Sequence, residues 1–276
     1  LSLGKAASIA RELARPAEKE GIGANMPRGT VTNVDRLRAL LAKSSFKKNT
    51  EYLLGLIRPA IDIVKSSTKP TLGGSRFGGS PDLPAGTKWP QHEMGRYSFL
   101  AQLNFAEVPP VGGLLPTSGL LSLFVGVDSD DGEFFWQTPG YVKAIFIAEG
   151  TPLVTLPCPK NLSLGKATAV EFHETIDLPF DGEQAEAWPI TEYDEQEKYS
   201  ALRDKLHVSE HYLLGYPSHC SLGYDPTPGP QWTSLLTLDS DERLKWHWHD
   251  SDKLMVFIER SRLMQKDFSV LASDAG

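Results

Sequence analysis

Three short stretches in the first half of the chain return in the second half at a nearly constant distance. Gly79-Ser80-Pro81 returns as Gly215-Tyr216-Pro217, Ser98 to Leu103 as Thr233 to Leu238, and Gly119 to Val125 as Asp252 to Ile258. The first two displacements are 136 and 135 positions. So steady an offset constrains the architecture more than composition does, because repeated units are built as copies that pack on one another. It points to an α+β fold in which two related β-rich halves, duplicated antiparallel sheet units at about 70–150 and 210–265, share one compact body with a few peripheral helices. A chance likeness between apolar strands is the competing account.

Local signals fill in this frame. Residues 97–105, 119–127 and 141–148 are apolar, β-branched or aromatic and are separated by turn residues, which predicts an antiparallel meander. The same signals predict strands at 234–239, 243–249 and 253–259. Thr32 and Asp35 have capping-box spacing, and Val34, Leu37, Leu40 and Leu41 form one stripe, so a helix is expected over about 33–43. A second, about 50–57, should stop before Pro59. Thr191 and Asp194 mark a third at about 192–206, within an acidic helical segment 171–210 that separates the halves. Residues 1–25 read as an N-terminal arm, either native or appended, and 26–276 as a single domain.

Composition is ordinary for a globular chain, at 40% hydrophobic and 23% charged. Cys158 and Cys220 lie far apart without CxxC or Cys/His spacing, which favours a reducing compartment. No apolar run reaches the roughly 18 residues of a bilayer span, and the N-terminus lacks a secretory apolar core; a cytoplasmic location with no membrane partner is expected. The formal charge of −7 is unevenly spread: residues 1–70 hold 13 Lys/Arg against 6 Asp/Glu, and residues 171–210 hold 3 against 12. An acidic surface of this kind repels nucleic acid and steers basic partners toward it. A merely solvated loop and helix face is the alternative.

Residue patterns that could carry chemistry are weak. Alternation along a strand would put Leu244, Trp246 and Trp248 on one face, and Lys245, His247 and His249 on the other; the lysine argues against a metal there. His207 and His211 lack the glutamate of an HExxH site. The run Asp128 to Glu133 departs from calcium-loop spacing and reads as an acidic turn, followed by Phe134-Phe135-Trp136. GxSxG, P-loop and GxGxxG patterns are missing; His219 and Cys220 should face opposite ways, and Cys158 sits between two prolines. The expectation is therefore no enzyme, with no catalytic, metal or cofactor residues and no cofactor. A site assembled from distant residues such as His211, His219 and Asp225 stays open.

The segment GGSPDLPAGTKWPQHEMGRYSFLAQLNFAEV, residues 78–108, resembles the signature of the YwqG-like family of bacterial domains of unknown function. Further on, His211 to Pro217, Leu235 to Asp241 and Trp248 to Ile258 are similar to that family's later elements. One departure is Trp248-His249-Asp250-Ser251-Asp252, where members commonly have Trp-Gly-Asp-Ser-Gly. The resemblance implies an α+β body with duplicated β-rich halves, and it carries over no established catalytic site. It also implies a binding role, since some relatives are immunity proteins (antitoxins) beside secreted antibacterial toxins, including nuclease effectors of the type VI secretion system. The expected partner is thus a cognate toxin, a basic nuclease domain, with no direct binding of nucleic acid. Charge would come from Asp181, Glu183, Glu186, Asp194, Glu195 and Glu197, with Trp188 and Tyr193 as anchors. Asp128, Asp130, Asp131 and Trp136 form a second candidate surface. The alternative is a small-ligand pocket between the halves near Trp89, Trp246 and Trp248.

Overall fold

The computed structural model describes residues 28–127, 134–160, 162, 164–180, 188–219 and 221–276. The N-terminal arm 1–25 lies outside the described residues. In chain order the elements are α1 (Arg28–Ala42), α2 (Thr50–Gly55), β1 (Arg58–Lys65), β2 (Arg76–Phe77), β3 (Asp82–Pro84), β4 (Arg96–Asn104), β5 (Leu120–Val127), β6 (Val142–Ile147), β7 (Leu153–Thr155) and β8 (Thr168–Asp177). They continue with α3 (Tyr193–Arg203), β9 (Tyr212–Leu214), β10 (Trp232–Asp239), β11 (Lys253–Glu259), α4 (Arg260–Met264) and β12 (Ala272–Ala275). The fold is mostly β-sheet with a few helices.

Ten strands form one sheet in the order β12-β11-β10-β9-β1-β8-β2-β4-β5-β6, and β3 pairs with β7 apart from it. At its middle, β1 and β8 run antiparallel from Arg58 opposite Asp177 to Lys65 opposite Val170. Such a central strand is covered on both faces, and Ala60, Ile61, Asp62 and Ile63 are all buried. Four strands extend to each side of this pair. The β4–β5 register shifts between Phe99 and Ala101, and the β10–β11 register between Ser234 and Leu236, so each wing carries a bulge in its second strand. The short inner strands end alike: Gly78 and Gly79 after β2 have φ of 60° and 70°, and Leu214 and Gly215 at the end of β9 have 61° and 65°.

The sheet curls until its ends meet through side chains, leaving it nearly closed. Ser273 Oγ of β12 donates to the Trp136 carbonyl at 2.7 Å, and Gln137 Nε2 donates to Asp274 at 3.1 Å. Phe268, just before β12, packs against Phe105 and against Phe146 of β6, with centroids 6.0 and 5.5 Å apart. The enclosed core includes Phe77, Phe99, Leu103, Leu121, Phe124, Leu236, Val256 and Ile258. Burial of each such side chain contributes about 1.5–3 kcal/mol.

A second, smaller core joins the helices to the outside of the sheet. Leu37 and Leu41 of α1, Leu53 of α2, and Tyr199 and Leu202 of α3 bury Ile176 and Leu178 at the end of β8. Val34 and Leu40 complete the α1 stripe, partly buried.

Several sequence expectations need correction. The segment 243–249 is a run of turns, not a strand. Leu244, Trp246 and Trp248 are buried while Lys245, His247 and His249 are exposed, but this alternation comes from Lys245 and His249 taking φ of 58° and 47°. α1 begins upstream of the Thr32–Asp35 pair, which lies inside the helix and cannot cap it. α2 ends at Gly55 rather than 57. α3 has Glu192 at its N-cap with no side-chain cap bond, so Thr191 is not the cap; the helix ends at Arg203 in a 3-10 turn, Asp204–Leu206. The stretch from 171 is not helical at first, because β8 occupies it to Asp177.

Candidate functional site

α3 carries three of the acids that stand out in the sequence, Asp194, Glu195 and Glu197, together with Lys198 and Arg203. Its inward face is fixed at three successive points: Tyr199 Oη donates to the Pro179 carbonyl at 2.7 Å, Leu202 is buried, and Arg203 Nε donates to the Leu178 carbonyl at 2.9 Å. Helical spacing then turns Tyr193, Asp194 and Glu197 to solvent, with Tyr193 72% exposed. Glu195 is half-buried. Asp194 and Glu195 also stand in the first helical turn, where negative charge offsets the helix dipole.

Below the C-terminal end of α3 lies a buried ionic cluster. Arg203 Nε is 3.2 Å from Asp177 Oδ1. His207, just past the helix, places Nδ1 2.6 Å from Asp62 Oδ1 and Nε2 3.2 Å from Asp177 Oδ1. Backbone N–H groups complete the carboxylates: Tyr216 N donates to Asp177 at 2.9 Å and Val208 N to Asp62 at 2.7 Å. Burial works against an imidazolium here, yet Asp177 and Asp62 outweigh it and hold His207 at about 9. Burial likewise pushes Asp177 up, and Arg203 with His207 bring it down to about 2. Two cations and two carboxylates therefore balance, and α3 is clamped to the central strands β1 and β8.

A second buried pair fixes the other wing. Asp82 Oδ2 accepts from Arg76 Nη1 at 2.6 Å and from Gly73 N at 2.8 Å, while Asp82 Oδ1 accepts from Thr155 Oγ1 at 2.8 Å. Burial raises this carboxyl, and these bonds together hold it at about 2.

The remaining expected contact residues are dispersed. Trp188 is half-buried against the helical core, its ring edge-on to Tyr52 and Tyr199 at 6.3 and 5.1 Å. Trp136 belongs to the seam where the sheet ends meet, 5.7 Å from the His249 ring. The two tryptophans thus lie in different cores. Asp128, Asp130, Asp131, Asp181, Glu183 and Glu186 lie outside the described residues.

Near the three tryptophans of the alternative pocket, a groove of about 410 Å³ runs past Arg96, Ser98, Trp246 and Trp248. It adjoins a smaller hollow of about 290 Å³ beside Trp89 and Tyr97, with Arg96 and Leu162 common to both. Trp246 and Trp248 are only 6% and 3% exposed, so their rings serve the core more than the groove. Lys245 on the groove lining, and His249 and Ser251 further along the chain, adopt positive φ. His249 therefore keeps a conformation that favours glycine.

The distant-residue trio falls in three separate surroundings. His211 is in the main core against Phe77 and Trp246, and accepts from Asp239 N at 3.1 Å through Nδ1. His219 packs on Phe180, and Asp225 accepts from Thr227 N in a surface loop. Cys158 is half-buried, and burial pushes its thiol up. Among the described residues no cluster of His, Cys, Asp and Glu is placed to hold a metal, and no helix is long and apolar enough to cross a membrane.

The ionic cluster escaped sequence reasoning. Its signal was a single acid inside an apolar run, Asp62 in Ala60-Ile61-Asp62-Ile63-Val64 and Asp177 in Ile176-Asp177-Leu178, since a charge so placed needs a buried partner.

No curated protein matches the sequence. One family model does, that of Domain of unknown function (DUF1963), over residues 75–273. That span starts beside β2 and ends within β12, taking in both outer wings, β8 and α3, and so the chain belongs to this family of domains of unknown function.

Proposed function

We propose that this chain is a cytoplasmic immunity protein of the YwqG-like kind, which binds and neutralises a basic secreted toxin domain, a nuclease effector of a type VI secretion system. The observation that carries the reading is Tyr193, 72% exposed and flanked by Asp194 and Glu197 on a helix whose other face is clamped by Arg203 and Asp177. A rigid aromatic with a charged rim is the usual makeup of a binding hot spot. Complementary charge speeds capture of a basic partner, and a pre-ordered helix loses little entropy on docking. Catalysis by this chain forms no part of the proposal, and the acidic surface does not bind nucleic acid itself.

We also infer that the two wings are copies. Their bulges at Phe99/Ala101 and Ser234/Leu236 repeat the 135-residue offset, and the positive-φ pairs at 78–79 and 214–215 repeat the 136-residue one. Small-ligand binding in the groove past Trp246 and Trp248 is the second reading, favoured by left-handed Lys245 on its lining.

The test is a pull-down from the native host with the tagged full chain, beside a Tyr193→Ala/Asp194→Lys/Glu197→Lys variant. The expected result is one stoichiometric basic chain, toxic when expressed alone, harmless with the wild-type chain and released by the variant. If the protein emerges alone at both low and moderate salt, the immunity reading fails.

A further inference from the structure

A cleft of about 590 Å³ opens where the start of β1, the start of β10 and the start of α4 converge. Its size lies within the roughly 300–1,000 Å³ of small-molecule sites. Two arginines line it. The guanidinium carbon of Arg58 sits 3.7 Å from the Tyr216 ring centroid, and the Tyr216 hydroxyl donates to the Leu56 carbonyl at 2.7 Å. The ring is therefore fixed, and its contact helps hold the guanidinium at the cleft. Arg260 spends one N–H on the Pro230 carbonyl at 3.1 Å.

Neither arginine has a carboxylate within ion-pair distance among the described residues, whereas Arg38, Arg76, Arg203 and Arg262 each do. In a chain of net charge −7, two such cations at one concavity run against the overall field. At the β10 bulge, Ser234 is 1% exposed, lines the same cleft, and has a hydroxyl without a hydrogen-bond partner among the described residues. Half-buried Trp232 adds an aromatic surface, and Asp225 an acceptor.

We propose that this cleft binds a small organic oxyanion, a phosphate or carboxylate carried on a planar ring, in the size class of a mononucleotide. Arg58 and Arg260 hold the oxyanion, because planar guanidinium forks match two oxygens at once. Ser234 donates a further bond, Trp232 packs against the ring, and Asp225 accepts from a ligand hydroxyl or amine. The site is separate from the acidic face of α3 and does not depend on the toxin reading.

The test is calorimetric titration of the full chain with adenosine 5′-monophosphate, 4-hydroxybenzoate and inorganic phosphate. One-to-one saturation by at least one ring-bearing anion is expected, with weaker binding of inorganic phosphate. Arg260→Gln and Arg58→Gln should each weaken it about tenfold or more. Arg260 is exposed, so its variant should melt with the wild type and report on binding alone. The proposal is overturned if no probe saturates at about 10 mM, if both variants bind like the wild type, or if inorganic phosphate binds as tightly as the ring-bearing anions.

Discussion

Replacing Asp177 by Asn tests whether the buried cluster holds α3 in place. The change keeps the shape but leaves one acceptor oxygen where the carboxylate uses two, since Leu178 N donates to Oδ1 at 2.8 Å and Tyr216 N to Oδ2 at 2.9 Å, so one of these N–H groups loses its acceptor. It removes one of two negative charges, so Arg203 and His207 face Asp62 alone, and one buried positive charge is left unbalanced. Removing one partner of a buried pair costs about 3–5 kcal/mol, a large part of the roughly 5–15 kcal/mol that holds a domain folded. Arg203→Met should cost a similar amount, since it strands the opposite charge and frees the Leu178 carbonyl. Made together, the two changes leave Asp62 facing His207, a neutral pair, so the double variant should be more stable than the sum of the singles by about 2–3 kcal/mol. Urea unfolding followed by tryptophan fluorescence supplies all four free energies. A loss below about 1 kcal/mol for Asp177→Asn, or strict additivity of the two changes, would refute the clamp.

Stability should peak near pH 6.5, the ordinary histidine value, because two buried histidines pull in opposite directions. His207, raised to about 9, stabilises fully below 6.5 and loses this as pH rises through 9; His211, lowered to about 4 chiefly by burial, stabilises fully above 6.5 and loses this as pH falls through 4. Each arm is on the order of 3 kcal/mol, and denaturant midpoints that do not fall on both sides of neutrality would refute it. Below 3.8 the loss should steepen as Asp82 and Asp177 approach about 2, seen as acid unfolding completed in that range. Gly165→Ala should lower stability by about 1–3 kcal/mol, read as a drop in melting temperature, because a Cβ there would meet the Leu244 carbonyl oxygen at 2.3 Å. A chain cut to residues 75–273 should show no cooperative unfolding transition, since it lacks β1.

Of the outer strands, the short β2, β9 and β12 gave no signal, but β4, β5, β6, β10 and β11 were legible in the sequence because they lie on a curled sheet with one dominant apolar core, so aromatic and β-branched runs such as Tyr97-Ser98-Phe99-Leu100 declare them. The two central strands were not. β1 begins at Arg58-Pro59 shortly after a helix, with Asp62 among its apolar residues, and β8 alternates Glu171, His173 and Thr175 with its apolar positions inside an acid-rich stretch. Both carry polar side chains that find partners only in the folded chain: Asp62 in His207, and Thr175 in the Leu206 carbonyl at 2.6 Å. The exposed tyrosine and acids of α3 were legible from helical spacing. The arginine cleft was not, because Arg58, Tyr216, Trp232 and Arg260 come together from four segments that share no motif.

The pairing of the central strands bears on how a docking surface on α3 could transmit force. β1, from the first part of the chain, pairs with β8 on one side and β9 on the other, while β8 pairs with β1 and with β2. The wing β9 to β12 is thus completed by β1, which precedes the other wing in sequence, and the wing β2 to β6 by β8, which lies between the two wings in sequence, and the β1–β8 pair joins them. Asp62 comes from β1 and Asp177 from β8, so the clamp beneath α3 sits on the antiparallel pair where the wings join. A partner bound at Tyr193 therefore loads the most deeply hydrogen-bonded strands of the sheet, not an edge. Strain at that point would be shared by both wings, and a helix of eleven residues held in this way would be stiffer as a docking surface than an isolated helix that short, which is marginal.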